Sequence, residues 1–220
     1  MLITDKLVQY GFELHGHKCP AMPLGLKTAR VAMDSLNVQK SQAGELFALL
    51  ELGDHHCAGC FADGVQMMAG TTLGKGNIEK THKGKFGLIL IDRKNKRAAR
   101  VVPKGEILLE SLNSEFMKVR QEGSLPQDVP SEITMPLIEK VLGMPAEEQF
   151  DVEIIENVSV KTPKHQYSKG QCDICSEVVV KKYSKEKDGK YLCLDCADES
   201  ESNILYDNGE VLITKDTLES

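Results

Sequence analysis

Apolar residues along this chain change their spacing several times, and each change marks an element. "TDKLVQYGFELHG" reads as a short helix with Thr4 or Asp5 as its N-cap and an end near Gly16. From Met22 onward, Met22, Leu26, Ala29, Met33 and Leu36 lie on one face of an amphipathic helix whose first turn tolerates Pro23. "LFALLELG" suits a buried strand. A second helix is predicted from about Cys57, with Phe61, Val65 and Met68 on its core face and Asp54 available to cap it. "GTTLGKGN", Gly70 to Asn77, is a glycine-rich loop. "FGLILID" and "RAARVV" flank a Lys94-Asn95-Lys96 turn and predict a hairpin. "GEILLESLNSEFMKVRQEG" puts Leu109, Leu112, Phe116 and Val119 on one face of a single helix. A further helix is expected over about Ser131 to Leu142, and a partly alternating strand at "FDVEIIENVSV".

Helices and strands mix here without a regular strand–helix–strand rhythm, so the fold class is α+β rather than a doubly wound sheet. The pattern lapses at "KTPKHQYSKG", Lys161 to Gly170, which is polar and free of aliphatic residues. That stretch divides the chain into a mixed helix/sheet core domain over 1–162 and a small domain over 163–220. Near the C-terminus, Asn208-Gly209 between apolar runs predicts a second hairpin.

Composition adds bounds. A chain of 220 residues that is 41% hydrophobic can bury a real core. A net charge of −6 excludes a general nucleic-acid or anionic-membrane surface, since either needs a basic footprint. The apolar runs are too short to cross a bilayer, and the N-terminus shows no signal-peptide pattern. Seven cysteines, four of them in two metal-spaced pairs, fit a reducing compartment, with the cytoplasm as default.

Those four are Cys172, Cys175, Cys193 and Cys196. Their C-x2-C-x17-C-x2-C spacing matches a four-thiolate zinc site, closed and therefore structural. The small module could not build a sufficient core without the metal. A helix start at "ADES" after the second pair makes the arrangement similar to a treble-clef zinc finger of the DksA/TraR type. Residues 168–200 hold six lysines against seven acids, so a protein partner fits the finger better than nucleic acid.

The N-terminal half carries a second set. "LHGHKCP" alternates His15, His17 and Cys19, which an extended segment would place on one face. Cys19 lies just before a predicted helix, where the dipole favours a thiolate. "GDHHCAGCFADG" brings His55, His56, Cys57 and Cys60 to the next helix start. Singly, each residue reads as a cap or a small buried side chain. As a set, His15, His17, Cys19, Cys57 and Cys60 read as a shared metal or thiol site, with a donor mix that suits zinc or iron. Asp63 is placed to orient a ligand, act as a base or stabilise the helix start. Lys75 sits in a loop that either approaches an anionic ligand or is simply a tight turn. Cys19, Cys60, Asp63 and Lys75 are the candidate catalytic residues.

These motifs, in this order, resemble the FmdE family, named for its association with formylmethanofuran dehydrogenase, over about residues 12–105. The matches are His15, Gly16, His17, Cys19 and Pro20, then Cys60, Asp63 and Gln66, then Gly74, Lys75, Gly76 and Asn77. The resemblance implies a dimeric α+β core with a cysteine/histidine pocket. It also implies association with a tungsten or molybdenum enzyme that fixes CO2 onto methanofuran. Ala21 stands where the family often has glycine, and Cys57 is added to its single cysteine in that motif. No pterin or iron–sulfur pattern is present, so this chain is not that catalyst alone. The expectation is an accessory metal-binding protein. The alternatives are a stand-alone metal enzyme on a small substrate and a zinc-finger regulatory protein.

Overall fold

The computed structural model describes residues 3–54, 56–161 and 167–199, together with two backbone strands near the C-terminus. Two helices, α1 (Asp5–His15) and α2 (Ala21–Leu36), precede the first strand, β1 (Leu46–Leu50). Then come α3 (Phe61–Ala69), β2 (Ile78–Lys80) and the hairpin strands β3 (Leu88–Asp92) and β4 (Arg97–Pro103). Four helices follow, α4 (Gly105–Leu112), α5 (Glu115–Gln121), α6 (Ser131–Gly143) and α7 (Ala146–Gln149), and β5 (Phe150–Glu156) closes the core. The fold is α+β, as the mixed pattern predicted.

The five strands form one mixed sheet in the order β2-β1-β3-β4-β5. Only the β1–β2 pair is parallel, and β3–β4 is the predicted hairpin, with Asp92 opposite Arg97. One face of the sheet packs under α2, where Leu46, Ala48, Leu50, Leu88, Leu90, Ala99 and Val101 meet Leu26, Ala29, Met33 and Leu36 in the main core. The other face carries a smaller cluster of Phe47, Ile91 and Ala98.

The packing of α2 on α3 fixes the rest. Gly25 and Gly64 let the two backbones touch. A Cβ on Gly25 would lie 1.9 Å from the Phe61 carbonyl oxygen, and one on Gly64 would lie 2.1 Å from the Met22 carbonyl oxygen. Both glycines lie in the N-terminal half of their helix, so the crossing holds the two helix starts side by side.

Several local expectations fail, among them the start of α3, which lies at Phe61 rather than about Cys57. The helix read over "GEILLESLNSEFMKVRQEG" is two helices, α4 and α5, broken at Asn113-Ser114, with Ser114 extended at the N-cap of α5. Leu109 is 60% exposed rather than facing the core. Asp54 does not cap α3, because its carboxylate pairs with Lys80 and His82 and the residue before the helix is Cys60. Thr4, by contrast, accepts from the Leu7 amide as the N-cap of α1, and Gly16 ends that helix in the left-handed region.

By contacts the chain forms two compact units, Met1–Val160 and Lys161–Ser220. The second contains the pairs β6 (Lys169–Gln171) with β7 (Val178–Val180) and β8 (Ser184–Lys187) with β9 (Lys190–Cys193). The strands β10 (Ile204–Asp207) and β11 (Glu210–Ile213) pair antiparallel as expected, though the Asn208-Gly209 turn itself lies outside the described residues. Of "ADES", Ala197 to Ser200, where a helix was expected to start, Ala197 and Asp198 lie in a turn, and Ser200 is outside the described residues.

Candidate functional site

The helix crossing delivers Cys19, just before α2, and Cys60, just before α3, to the same place. His15 arrives from the other side as the last residue of α1. The left-handed Gly16 (φ +91°) then turns the chain so that His17 follows it in. The segment is therefore a helix end and a turn rather than the extended stretch that alternation implied. The result is a cluster of His15, His17, Cys19 and Cys60 whose potential ligand atoms all lie within 4.8 Å of one another. His15 Nε2 is 3.0 Å from His17 Nε2 and 3.7 Å from Cys19 Sγ.

Behind the cluster runs a chain of hydrogen bonds. His15 Nδ1 lies 2.7 Å from Asp63 Oδ2, which makes Nδ1 the protonated nitrogen and turns the Nε2 lone pair toward the cluster. Gln66 Nε2 donates to Asp63 Oδ1 at 3.3 Å, and Gln66 Oε1 accepts from the Leu73 amide at 3.1 Å. Asp63 thus stands behind a candidate ligand and orients it, which is one of the roles its position in the sequence allowed.

Electrostatics favour a thiolate at Cys19. The hydrogen bond from Cys60 and the backbone amides of Met22 and Ala21 at the start of α2 hold its thiol below the ordinary range, although burial opposes them. That hydrogen bond and burial push the Cys60 thiol up. Burial, His15 and Arg120 lower the His17 imidazole, which keeps it neutral and able to ligate.

The donor set fits a metal. Two imidazole nitrogens and two sulfurs at this mutual spacing match zinc–sulfur bonds of about 2.3 Å and zinc–nitrogen bonds of about 2.0 Å. A histidine oriented by a carboxylate is the usual outer support of such sites. The residues present would therefore hold a zinc- or iron-class ion.

Other candidates go elsewhere. Cys57 is exposed and stands outside the four-residue cluster, although it lines the adjacent cavity. His56 packs edge-on against Phe86 with ring centroids 4.5 Å apart, and His55 lies outside the described residues. Lys75 donates to the Ser41 carbonyl and does not reach the cluster. Its loop is a tight turn. The Thr72 amide is taken by Asn77 Oδ1, the Leu73 amide by Gln66, and the Lys75 and Gly76 amides by loop carbonyls, which leaves none of these four for an anion.

A cavity of about 100 Å³ opens beside the cluster and has His17, Cys19 and Cys60 in its wall. Its remaining lining is mostly apolar, with Leu24, Phe86, Leu108, Phe116 and Met117 among the contributors, and Arg120 and Gln149 are its principal polar members. Sequence reading missed this wall entirely. It is built from α4, α5 and α7, whose residues carry no motif and show only an ordinary apolar pattern.

The second unit has its own cluster. Cys172, Cys175, Cys193 and Cys196 place their sulfurs within 4.8 Å of one another, an arrangement that fits a four-thiolate zinc finger. Amides of Cys175, Cys193 and Ile174 pull the Cys172 thiol down to about 6, while the Cys193 contact and burial hold Cys196 up at about 12.

Comparison with known proteins places these features. Residues 14–151 match the sequence model of the family described as "FmdE, Molybdenum formylmethanofuran dehydrogenase operon". A "probable S-adenosyl-L-methionine-binding protein" of Archaeoglobus fulgidus is 32% identical over 197 residues, covering 84% of this chain and 50% of that protein. The chain thus spans about half the length of that curated relative. A tungsten formylmethanofuran dehydrogenase FmdE-like protein from Syntrophus aciditrophicus shares the fold, with a TM-score of 0.55 at 19% identity over 90% of this chain and 93% of that one.

Proposed function

The chain belongs to the FmdE family, and from that premise we propose that it is a metal-binding accessory protein of a tungsten- or molybdenum-dependent formylmethanofuran dehydrogenase-type complex. The observation that carries this reading is the meeting of His15, His17, Cys19 and Cys60 at the wall of a small apolar cavity. A bound zinc or iron ion would supply Lewis acidity there. The chain's own residues do the rest. Asp63 fixes the His15 ring, Arg120 adds positive charge beside His17, and the apolar wall excludes water from whatever enters. The C-terminal zinc is structural, and the finger is a surface for a protein partner. The protein acts as a homodimer, in a complex whose CO2 chemistry belongs to a different polypeptide.

Metal counting on purified protein tests the core of this reading. Two ions per chain are expected, falling to one in the Cys19→Ser/Cys60→Ser double variant and staying at two in Cys57→Ser. A double variant that keeps both ions would end the assignment. Co-purification with a molybdopterin enzyme tests the accessory role.

The cavity favours a second reading, in which the chain alone acts on a small molecule. The name of the archaeal relative makes S-adenosyl-L-methionine a ligand to test, although the cavity of about 100 Å³ would admit only part of it, and calorimetric titration of the zinc-loaded protein decides it.

A further inference from the structure

Arg120 is the odd residue in the cavity wall. Among the described residues no aspartate, glutamate or lysine joins it there, and Leu24, Phe86, Leu108, Phe116 and Met117 make much of the lining apolar. A guanidinium carries five N–H donors and keeps its proton at any ordinary pH. One donor of Arg120 goes to the Ser124 carbonyl just past α5, and the side chain forms no ion pair among the described residues. The half-buried charge stands near enough to His17, on the same wall, to lower that imidazole. A methionine would complete the apolar lining without a charge to desolvate. The volume of about 100 Å³ is room for about three or four groups of water's size, at about 30 Å³ each. Any occupant is therefore a compound of a few heavy atoms.

From these observations we infer that the cavity binds a small monocarboxylate, its carboxylate held by the Arg120 N–H groups that Ser124 leaves free and its short carbon chain among the apolar side chains. The inference rests on the reading that the chain takes a small molecule in this cavity, and it adds the chemical class of that molecule. A carboxylate suits the wall better than a phosphate. Its two oxygens match the guanidinium fork, whereas a phosphate brings more charge and more oxygens to a wall with few other donors.

Acetate and acetamide are near-isosteric probes that differ in charge. Their affinities for the zinc-loaded protein are compared by ligand-observed NMR titration at constant ionic strength. The native chain, Arg120→Met and Arg120→Lys are measured side by side, with thermal melting and metal counting confirming that each variant folds and keeps its ions. The native chain should prefer acetate by about tenfold, the gain expected from charge-assisted hydrogen bonding. Arg120→Met should abolish that preference while acetamide still binds. Arg120→Lys keeps the charge but not the fork and should reduce the preference about threefold. Equal affinities in the native chain, or a preference for acetate that survives both substitutions unchanged, would overturn the inference and leave the cavity standing as a small-molecule site. Failure of both probes to bind the native chain would overturn the inference and that reading together.

Discussion

His15 shows how much a single side chain here depends on what lies behind it. Its ring is fixed by Asp63, and Asp63 is fixed by Gln66. Asp63→Asn should weaken metal binding by about 10–100-fold, the usual cost of removing such a support, with little change in fold; competition with a chelating dye measures it. The sequence showed all four members of the cluster, since alternating histidines and a Cys-x-x-Cys are visible as patterns. It could not separate Cys57 from Cys60. That difference depends on the turn at Cys57–Cys60, which leaves one sulfur exposed and brings the other to the crossing. Glu51 offers a pH test away from the metal. It is 2% exposed, and burial would raise its pKa, but hydrogen bonds and charge from Arg100 and Lys83 outweigh that and hold it below 4.5. A carboxylate depressed in the folded state stabilises above its unfolded pKa and loses that contribution as pH falls through the folded value. Stability should therefore decline below about pH 4.5, and Glu51→Gln should flatten that decline in denaturant titrations at stepped pH.

Among the elements, the crossing of α2 and α3 does most to set function. Gly64→Ala would drive a Cβ to 2.1 Å from the Met22 carbonyl oxygen, forcing the helices apart. A loss of roughly 3 kcal/mol or more is expected from such overpacking, together with weakened metal binding because Cys19 and Cys60 separate. Urea denaturation and metal titration of the same variant check both. Apolar spacing predicted both helices, though it began α3 at about Cys57 rather than Phe61, and it said nothing of the glycines, because their purpose is the absence of a side chain. The opposite failure occurred at α4 and α5, where good helical spacing ran through Asn113-Ser114 and hid a break made by local turn geometry. Lys27 was invisible for a third reason. It sits among apolar positions of α2, yet its ammonium donates to the carbonyls of Val141, Leu142 and Met144 at the end of α6. Lys27→Met leaves those carbonyls without that donor and should cost about 2 kcal/mol, read by urea denaturation.

For the whole molecule, a division was readable because the stretch from Lys161 to Gly170 loses its apolar residues, and the boundary drawn between residues 162 and 163 lies outside the described residues. Cys193→Ser should release one zinc and unfold only the residues beyond Gly170, leaving the thermal transition of the core in place; hydrogen exchange read by segment checks this. The cavity wall was not readable, since it is assembled from distant helices with no motif of their own. The hydrogen-bond chain that begins at His15 runs through Asp63 and Gln66 and ends at Leu73, which is 84% exposed. Its last link is a main-chain amide. Sequence drift at position 73 is therefore free in every direction but one, because any residue supplies that N–H except proline.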